Sequence, residues 1–263
     1  MKGKRMTIDR RRGALFEASA FDYDIYRPSY PLEVIREAVS LSNLRSSSRL
    51  LEIGCGTGKA TLPFASRGFM IDCIDPGKRL IDFARQNCRA WPNASFTRGT
   101  FEEVRLEPRY YDLVYSAQAF HWVDPGIRLR KAADTLVEHG FLALLYNYPG
   151  KTKDRVVPLL NDAIEEASGG MLKAWDYGDE IADWTREIGS SGLFRGIRLL
   201  RHQWMQSYNA ERYTGLFRTY SDFLSLPRPA RRKVLQRIRE VIQGNGGSLC
   251  RSYDCVLIHA QKA

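Results

Sequence analysis

Between Arg49 and Asn147 the chain alternates short apolar runs with stretches whose apolar residues recur at helical spacing. The runs Arg49–Ile53, Phe69–Ile74, Ser95–Arg98, Tyr111–Ser116 and Phe141–Asn147 predict strands. The stretches Thr57–Arg67, Lys78–Ala90 and Ile127–Glu138 predict the helices between them. Strands separated by helices at this rhythm form βαβ units and therefore a parallel sheet. Several runs are apolar almost throughout, as strands are when both faces of a sheet are covered. Upstream, Pro31 opens another helix, striped by Leu32, Ile35, Val39 and Leu41.

After residue 150 the rhythm breaks. Residues 151–190 read as mostly helical, with a turn at Ser168-Gly169-Gly170. Gly196–Gln206 reads as a strand, residues 209–243 as two helices split around Pro227 and Pro229, and Ser248–His259 as a last strand. The expected fold is α/β: a mostly parallel, seven-stranded sheet with helices on both faces and inserted cap helices. Residues 1–47 form a basic arm and an N-terminal cap helix. Residues 48–263 form the core, with helical insertions near 151–190 and 209–243.

Composition changes this picture little. With 263 residues, 44% hydrophobic and 27% charged, the chain has ordinary globular composition. No apolar run approaches the ~20 residues of a membrane span, and none follows the basic N-terminus as in a secretory signal. Cys55, Cys73, Cys88, Cys250 and Cys255 are odd in number and contain no CxxC pair. They read as reduced thiols of a cytoplasmic protein, with neither a disulfide framework nor a metal site.

The net charge of +10 is concentrated in two places. Lys2, Lys4, Arg5, Arg10, Arg11 and Arg12 face only Asp9. Arg228, Arg231, Arg232, Lys233, Arg237 and Arg239 face only Glu240. Each patch is either a solvated surface or a polyanion contact, and the solvated reading is preferred.

The informative stretch is Leu51-Glu52-Ile53-Gly54-Cys55-Gly56-Thr57-Gly58. A strand runs into a turn of alternate glycines, and a helix is expected to follow. Glycine admits positive φ and lets backbone approach a ligand, and a helix start offers free N–H groups. The pattern is G-x-G-x-G. The dinucleotide fingerprint G-x-G-x-x-G would need its third glycine where Lys59 stands. Glu52, just before the turn, would repel a pyrophosphate but favours a ligand bearing an amino group and a sulfonium. Asp75, at the end of the next strand, is placed to accept both hydroxyls of a ribose, and Pro76 then turns the chain.

These residues resemble the class I S-adenosylmethionine-dependent methyltransferases, whose fold is Rossmann-like. Glu52–Gly58 resembles their glycine motif and Asp75-Pro76 their ribose-binding loop. Gly99-Thr100-Phe101-Glu102 resembles their adenine loop, and Tyr111-Asp112-Leu113-Val114 their fourth strand. Ser116–Asp124 resembles the segment after that strand in the subgroup that includes trans-aconitate methyltransferase. The resemblance spans residues 20–147 well and the rest more loosely. It departs at Thr100, where the family usually has an aspartate for the adenine amino group.

The resemblance implies S-adenosylmethionine as cofactor, held by Glu52, Gly54, Cys55, Gly56, Thr57, Gly58, Asp75, Pro76, Thr100, Phe101 and Gln118. Tyr26 and Arg27 belong to a cluster with Tyr23 and Tyr30 that covers the methionine end or staples onto the sheet. His121 is the candidate catalytic residue, as a general base or as a wall of the pocket. Trp175, Trp184, Trp204, Tyr213 and Phe217 line a substrate pocket or fill core. The acceptor implied is a small molecule: a carboxylate, hydroxyl or amine. Two rivals remain: an RNA methyltransferase using the basic patches, and a regulator that binds the cofactor without catalysis.

Overall fold

The computed structural model describes residues 19–172 and 178–263. The basic arm and Trp175 lie outside the described residues. Helices α1 (Ala20–Tyr26) and α2 (Leu32–Leu41) precede the sheet. Then come β1 (Arg49–Ile53), α3 (Thr61–Ala65), β2 (Met70–Asp75), α4 (Lys78–Asn87), β3 (Ala94–Arg98) and β4 (Tyr111–Ala117). A single 3-10 turn at Phe120–Trp122 leads to α5 (Arg128–Thr135) and β5 (Leu136–Pro149). The second half holds α6 (Val156–Ala167), α7 (Gly178–Ser190), β6 (Phe194–Asn209), α8 (Ala210–Phe217), α9 (Ser221–Leu224), α10 (Arg228–Gly244) and β7 (Ser248–Lys262).

The seven strands form one sheet in the order β3-β2-β1-β4-β5-β7-β6. Neighbours from β3 to β5 pair parallel, while β7 runs antiparallel to both β5 and β6. The sheet is therefore mostly parallel, with β7 alone reversed. The strand order reverses at β1, so the carboxyl ends of β1 and β4 flank the crevice where such sheets bind ligands.

Both faces are covered, which explains the apolar strands. On one face Leu51, Ile53, Val114, Leu144 and Val256 pack with Leu129 and Ala132 of α5 and Ile181 and Ile188 of α7. On the other, Leu50, Ile71, Leu113, Leu145 and Leu257 pack with Val34, Ile35 and Ala38 of α2 and Phe64 of α3. A third cluster joins α6, α8, α9 and α10 to the start of β7 through Leu160, Leu216, Phe223, Val234, Ile238 and Ile242. The buried residues of α10 recur every four positions, which turns Arg232, Lys233 and Arg239 to solvent.

Several boundaries differ from the sequence expectation. The helix expected over Thr57–Arg67 is reduced to Thr61–Ala65. Residues 57–60 stay in the turn, with Leu62 N–H donating to the Gly58 carbonyl at 2.9 Å. The helix expected to reach Glu138 ends at Thr135, because β5 begins at Leu136, where Tyr111 pairs with it ahead of a bulge. β6 extends over 16 residues, beyond Gly196–Gln206, because β7 supplies a partner along that length.

Candidate functional site

The glycine turn is held by backbone. The N–H groups of Gly54 and Cys55 donate to the Ile74 carbonyl at 2.8 and 3.2 Å, tying the turn to the end of β2. Gly54, Gly56 and Gly58 have φ of 71°, 55° and 85°, a region that penalises residues with a Cβ. At Gly54 a Cβ would lie 2.3 Å from the Ala119 Cβ, so the loop after β4 occupies the room that the missing side chain leaves.

Asp75 is buried at the end of β2, with a different backbone donor on each carboxylate oxygen. Gly56 N–H donates to Oδ2 at 2.9 Å and Gly77 N–H to Oδ1 at 2.8 Å. Its own carbonyl accepts from Gly99 N–H at 3.0 Å, which brings the loop after β3 alongside. The ends of β1, β2 and β3 thus converge on one residue, the first two at its carboxylate and the third at its carbonyl. Beside it the Thr57 hydroxyl oxygen is buried and without a partner among the described residues.

Glu52 is buried behind the turn. Its carboxylate accepts from Thr61 Oγ1 at 2.5 Å and Tyr115 Oη at 2.9 Å, with the Cys73 thiol at 3.8 Å. Burial raises its pKa to about 7 against the pull of those donors. The side chain faces α3 and ties β1, β4 and the end of the turn together. Cys55 likewise turns its side chain into the core, where its hydrogen bond with Cys73 and then burial push the thiol up, leaving only backbone for a ligand.

The two cap tyrosines point to different places. Tyr26 turns toward α8, where a Cβ on Gly215 would come within 2.5 Å of its ring. The tyrosine over the glycine turn is Tyr23, whose ring lies 3.5 Å from where a Gly56 Cβ would stand. α1 is docked across the turn by Lys59 Nζ on the Asp24 carbonyl at 2.6 Å and by Asn87, which donates to both Asp24 Oδ1 and the Thr57 carbonyl. Arg27 stands over the rings of Tyr23 and Tyr220, at 5.3 and 4.6 Å, and donates to the Thr219 carbonyl at 2.9 Å. Its Nε is buried without a partner among the described residues.

The remaining expected contacts divide. Thr100 Oγ1 donates to Glu103 at 2.9 Å, and Phe101 is buried in the core beneath Lys131, so this loop offers mainly backbone. Pro76 is exposed, and its carbonyl accepts from Arg98 at 3.4 Å. Gln118 has a φ of 59° although it is not glycine, a strained conformation of the kind found at working sites. Its Nε2 donates to the Asn147 carbonyl at 2.8 Å, spanning β4 and β5.

His121 lies in the 3-10 turn after β4, with ring centroids 4.9 Å from Trp122 and 6.2 Å from Tyr146. Burial, then the charges of Arg128 and Arg27, lower its pKa to about 4, so it is neutral at pH 7. Tyr146 and Tyr148, which the sequence does not single out, project from one face of its carboxyl end, where the Tyr146 ring stacks on both Tyr148 and Trp184. Two tyrosines two positions apart near the end of the fifth strand were the available signal, since residues i and i+2 share a face. Of the other aromatics, Tyr213 and Phe217 fill the third core cluster, and Trp204 donates to Asn147 Oδ1 at 3.2 Å.

Residues 50–140, from β1 to the start of β5, match a family model described as a methyltransferase domain. The chain is an S-adenosylmethionine-dependent methyltransferase. An uncharacterized methyltransferase of Mycobacterium tuberculosis is 28% identical to it over 98% of this chain and all of that protein. A malonyl-[acyl-carrier protein] O-methyltransferase of Ilyobacter polytropus is 26% identical over 55% of each chain. Among solved structures, one from Anaeromyxobacter dehalogenans, provisionally named a type II methyltransferase, superposes with a TM-score of 0.65 at 18% identity. It covers 90% of this methyltransferase and 98% of its own chain.

The cofactor class fits what the residues offer: a cradle without side chains at Gly54, Gly56 and Gly58, a buried carboxylate at its rim, and the orphaned Thr57 hydroxyl and Arg27 Nε. No helix among the described residues is long and apolar enough to cross a membrane.

Proposed function

We propose that the protein transfers a methyl group to a small-molecule acceptor, with the cofactor lying over the carboxyl ends of β1, β2 and β4. The observation that carries this reading is Asp75, a buried carboxylate at the end of β2 that the Gly56 and Gly77 N–H groups orient at the rim of the glycine turn. In this reading Gly54, Gly56, Gly58 and the backbone of Cys55 give close approach. Thr57 and Arg27 supply polar contacts, Thr100 and Phe101 supply backbone to the adenine, and Tyr23 closes the methionine end. Glu52 and Gln118 position the two loops.

When bound, the cofactor supplies an already activated methyl group on a sulfonium. The chain's task is then to align the acceptor and exclude water. His121 belongs on the acceptor side, as base or wall. The small-molecule reading draws support from the segment Ser116–Asp124, which resembles the trans-aconitate methyltransferase subgroup. The free cysteines, four of the five buried, fit a cytoplasmic protein.

Calorimetric titration with S-adenosylhomocysteine and with NAD tests the cofactor assignment. Binding of the first and not the second is expected, and the reverse would sink it. The outward cations of α10 favour a second reading, in which RNA is the acceptor. Salt-dependent binding to tRNA or rRNA would favour it.

A further inference from the structure

Two buried polar atoms near the carboxyl ends of β4 and β5 have no partner among the described residues: Nδ1 of His121 and the hydroxyl of Tyr146. They belong to adjacent strand ends, since Ala117 pairs with Leu145, and their rings are 6.2 Å apart. Tyr146 is only 1% exposed. A buried donor or acceptor left unpaired is costly, so two side by side ask for something that pairs with both.

The surroundings narrow what that is. The Tyr146 ring stacks on Tyr148 at 5.5 Å and 16° and on Trp184 at 5.8 Å and 25°. Arg128 covers Trp184 at 4.3 Å while also pairing with Glu187. The rings therefore stack on one another and do not form an open cage for a cation. At His121 the acting charges are Arg128 and Arg27, which disfavour an ammonium group, while at Tyr146 the Glu180 carboxyl stands against an acceptor that is already fully ionised. A neutral hydroxyl answers both orphaned atoms, because it accepts from the Tyr146 O–H and donates to the imidazole nitrogen.

Building on the methyltransferase reading, we infer that the acceptor is a hydroxyl made acidic by conjugation, a phenol or an enol. Tyr146 donates to its oxygen and His121 Nδ1 receives its proton. The O–H bond breaks toward Nδ1 and an oxygen lone pair forms the new C–O bond. The methyl–sulfur bond breaks, leaving its electron pair on sulfur as the thioether. The positive charge leaves the sulfonium and appears on the imidazolium, so the site's net charge is unchanged. Burial together with Arg128 and Arg27 keeps His121 deprotonated at neutral pH before the acceptor arrives. Tyr146 remains protonated there, because burial raises its hydroxyl well above the ordinary tyrosine range.

The test uses the protein saturated with S-adenosylhomocysteine, with 4-nitrophenol and 4-nitrobenzoate as probes. Nitrophenol is expected to bind, and its phenolate absorbance to appear at lower pH than in free solution. Tyr146→Phe and His121→Gln are each expected to weaken its binding about ten-fold while S-adenosylhomocysteine affinity is retained, which certifies the fold. Nitrobenzoate binding as tight as nitrophenol, nitrophenol binding untouched by both substitutions, or no nitrophenol binding would overturn the inference. Failure of the wild-type protein to bind S-adenosylhomocysteine would instead overturn the methyltransferase reading beneath it.

Discussion

At the carboxyl ends of β1 and β2 the chain builds its site from backbone: Gly56 and Gly77 N–H groups meet Asp75, and the Gly54 and Cys55 N–H groups meet the Ile74 carbonyl. At the end of β5 the material is side chains: Tyr146, Tyr148, Trp184 and His121, drawn from three separate segments and stacked into one cluster. A backbone site requires glycine at fixed positions, because any Cβ would block it. A side-chain site requires only that several segments arrive at one place, and many sequences achieve that. The first region therefore carries a motif and the second does not.

The sharpest way to break this contrast is to put a side chain into the backbone site. Gly54→Ala places a Cβ 2.3 Å from that of Ala119 at a φ of 71°. A loss on the order of 3 kcal/mol in stability is expected, from overpacking and strain together, with S-adenosylhomocysteine affinity falling with it. Thermal unfolding and calorimetry report both, and a variant as stable as wild type would mean that the loops after β1 and β4 do not meet this closely.

Glu52 tests the layer behind the turn. Its pKa, raised from 4.5 to about 7, means that the folded protein holds this proton more tightly than the unfolded chain does. The stability it contributes is full below about pH 4.5 and is lost as pH rises through 7, by up to about 3 kcal/mol. Glu52→Gln should remove that slope from denaturant titrations taken across this range. His121 works in the opposite sense. Its pKa lowered to about 4 gives stability that is present above 6.5 and lost as pH falls through 4.

Asp75→Ala should weaken S-adenosylhomocysteine binding ten-fold or more, since hydrogen bonds to a charged acceptor contribute about 1.5–3 kcal/mol each. Wild-type affinity in that variant would detach the cofactor from the end of β2. His121→Ala should leave the same affinity within about two-fold, because it belongs to the other region. Once an acceptor is in hand, its turnover should drop by about two to four orders of magnitude if His121 is a base. If it is only a wall, KM should rise with kcat nearly kept. The smallest expected effect is that of deleting residues 1–12, which should leave small-molecule turnover nearly unchanged. A collapse would make the arm part of the site.

The sequence by itself determined the alternation of strands and helices, the parallel half of the sheet, the glycine turn and the carboxylate at the end of β2. Each of these is set by near neighbours in the chain, through apolar periodicity or the conformational demands of glycine. Where neighbours compete across space, the reading failed locally. The helix after Gly58 starts late, and β5 begins earlier than expected because Tyr111 pairs with Leu136. Only the tertiary structure decided which tyrosine of the cap covers the turn. Tyr23 and Tyr26 lie within one helix turn of each other, and the choice was made by Gly215, whose missing side chain leaves room for Tyr26. Only the tertiary structure, too, turned Glu52 toward Thr61 and Tyr115 and brought His121 beside Tyr146. Local sequence fixes backbone shape, whereas the partner of a buried polar side chain is chosen by whichever segments the finished sheet brings together.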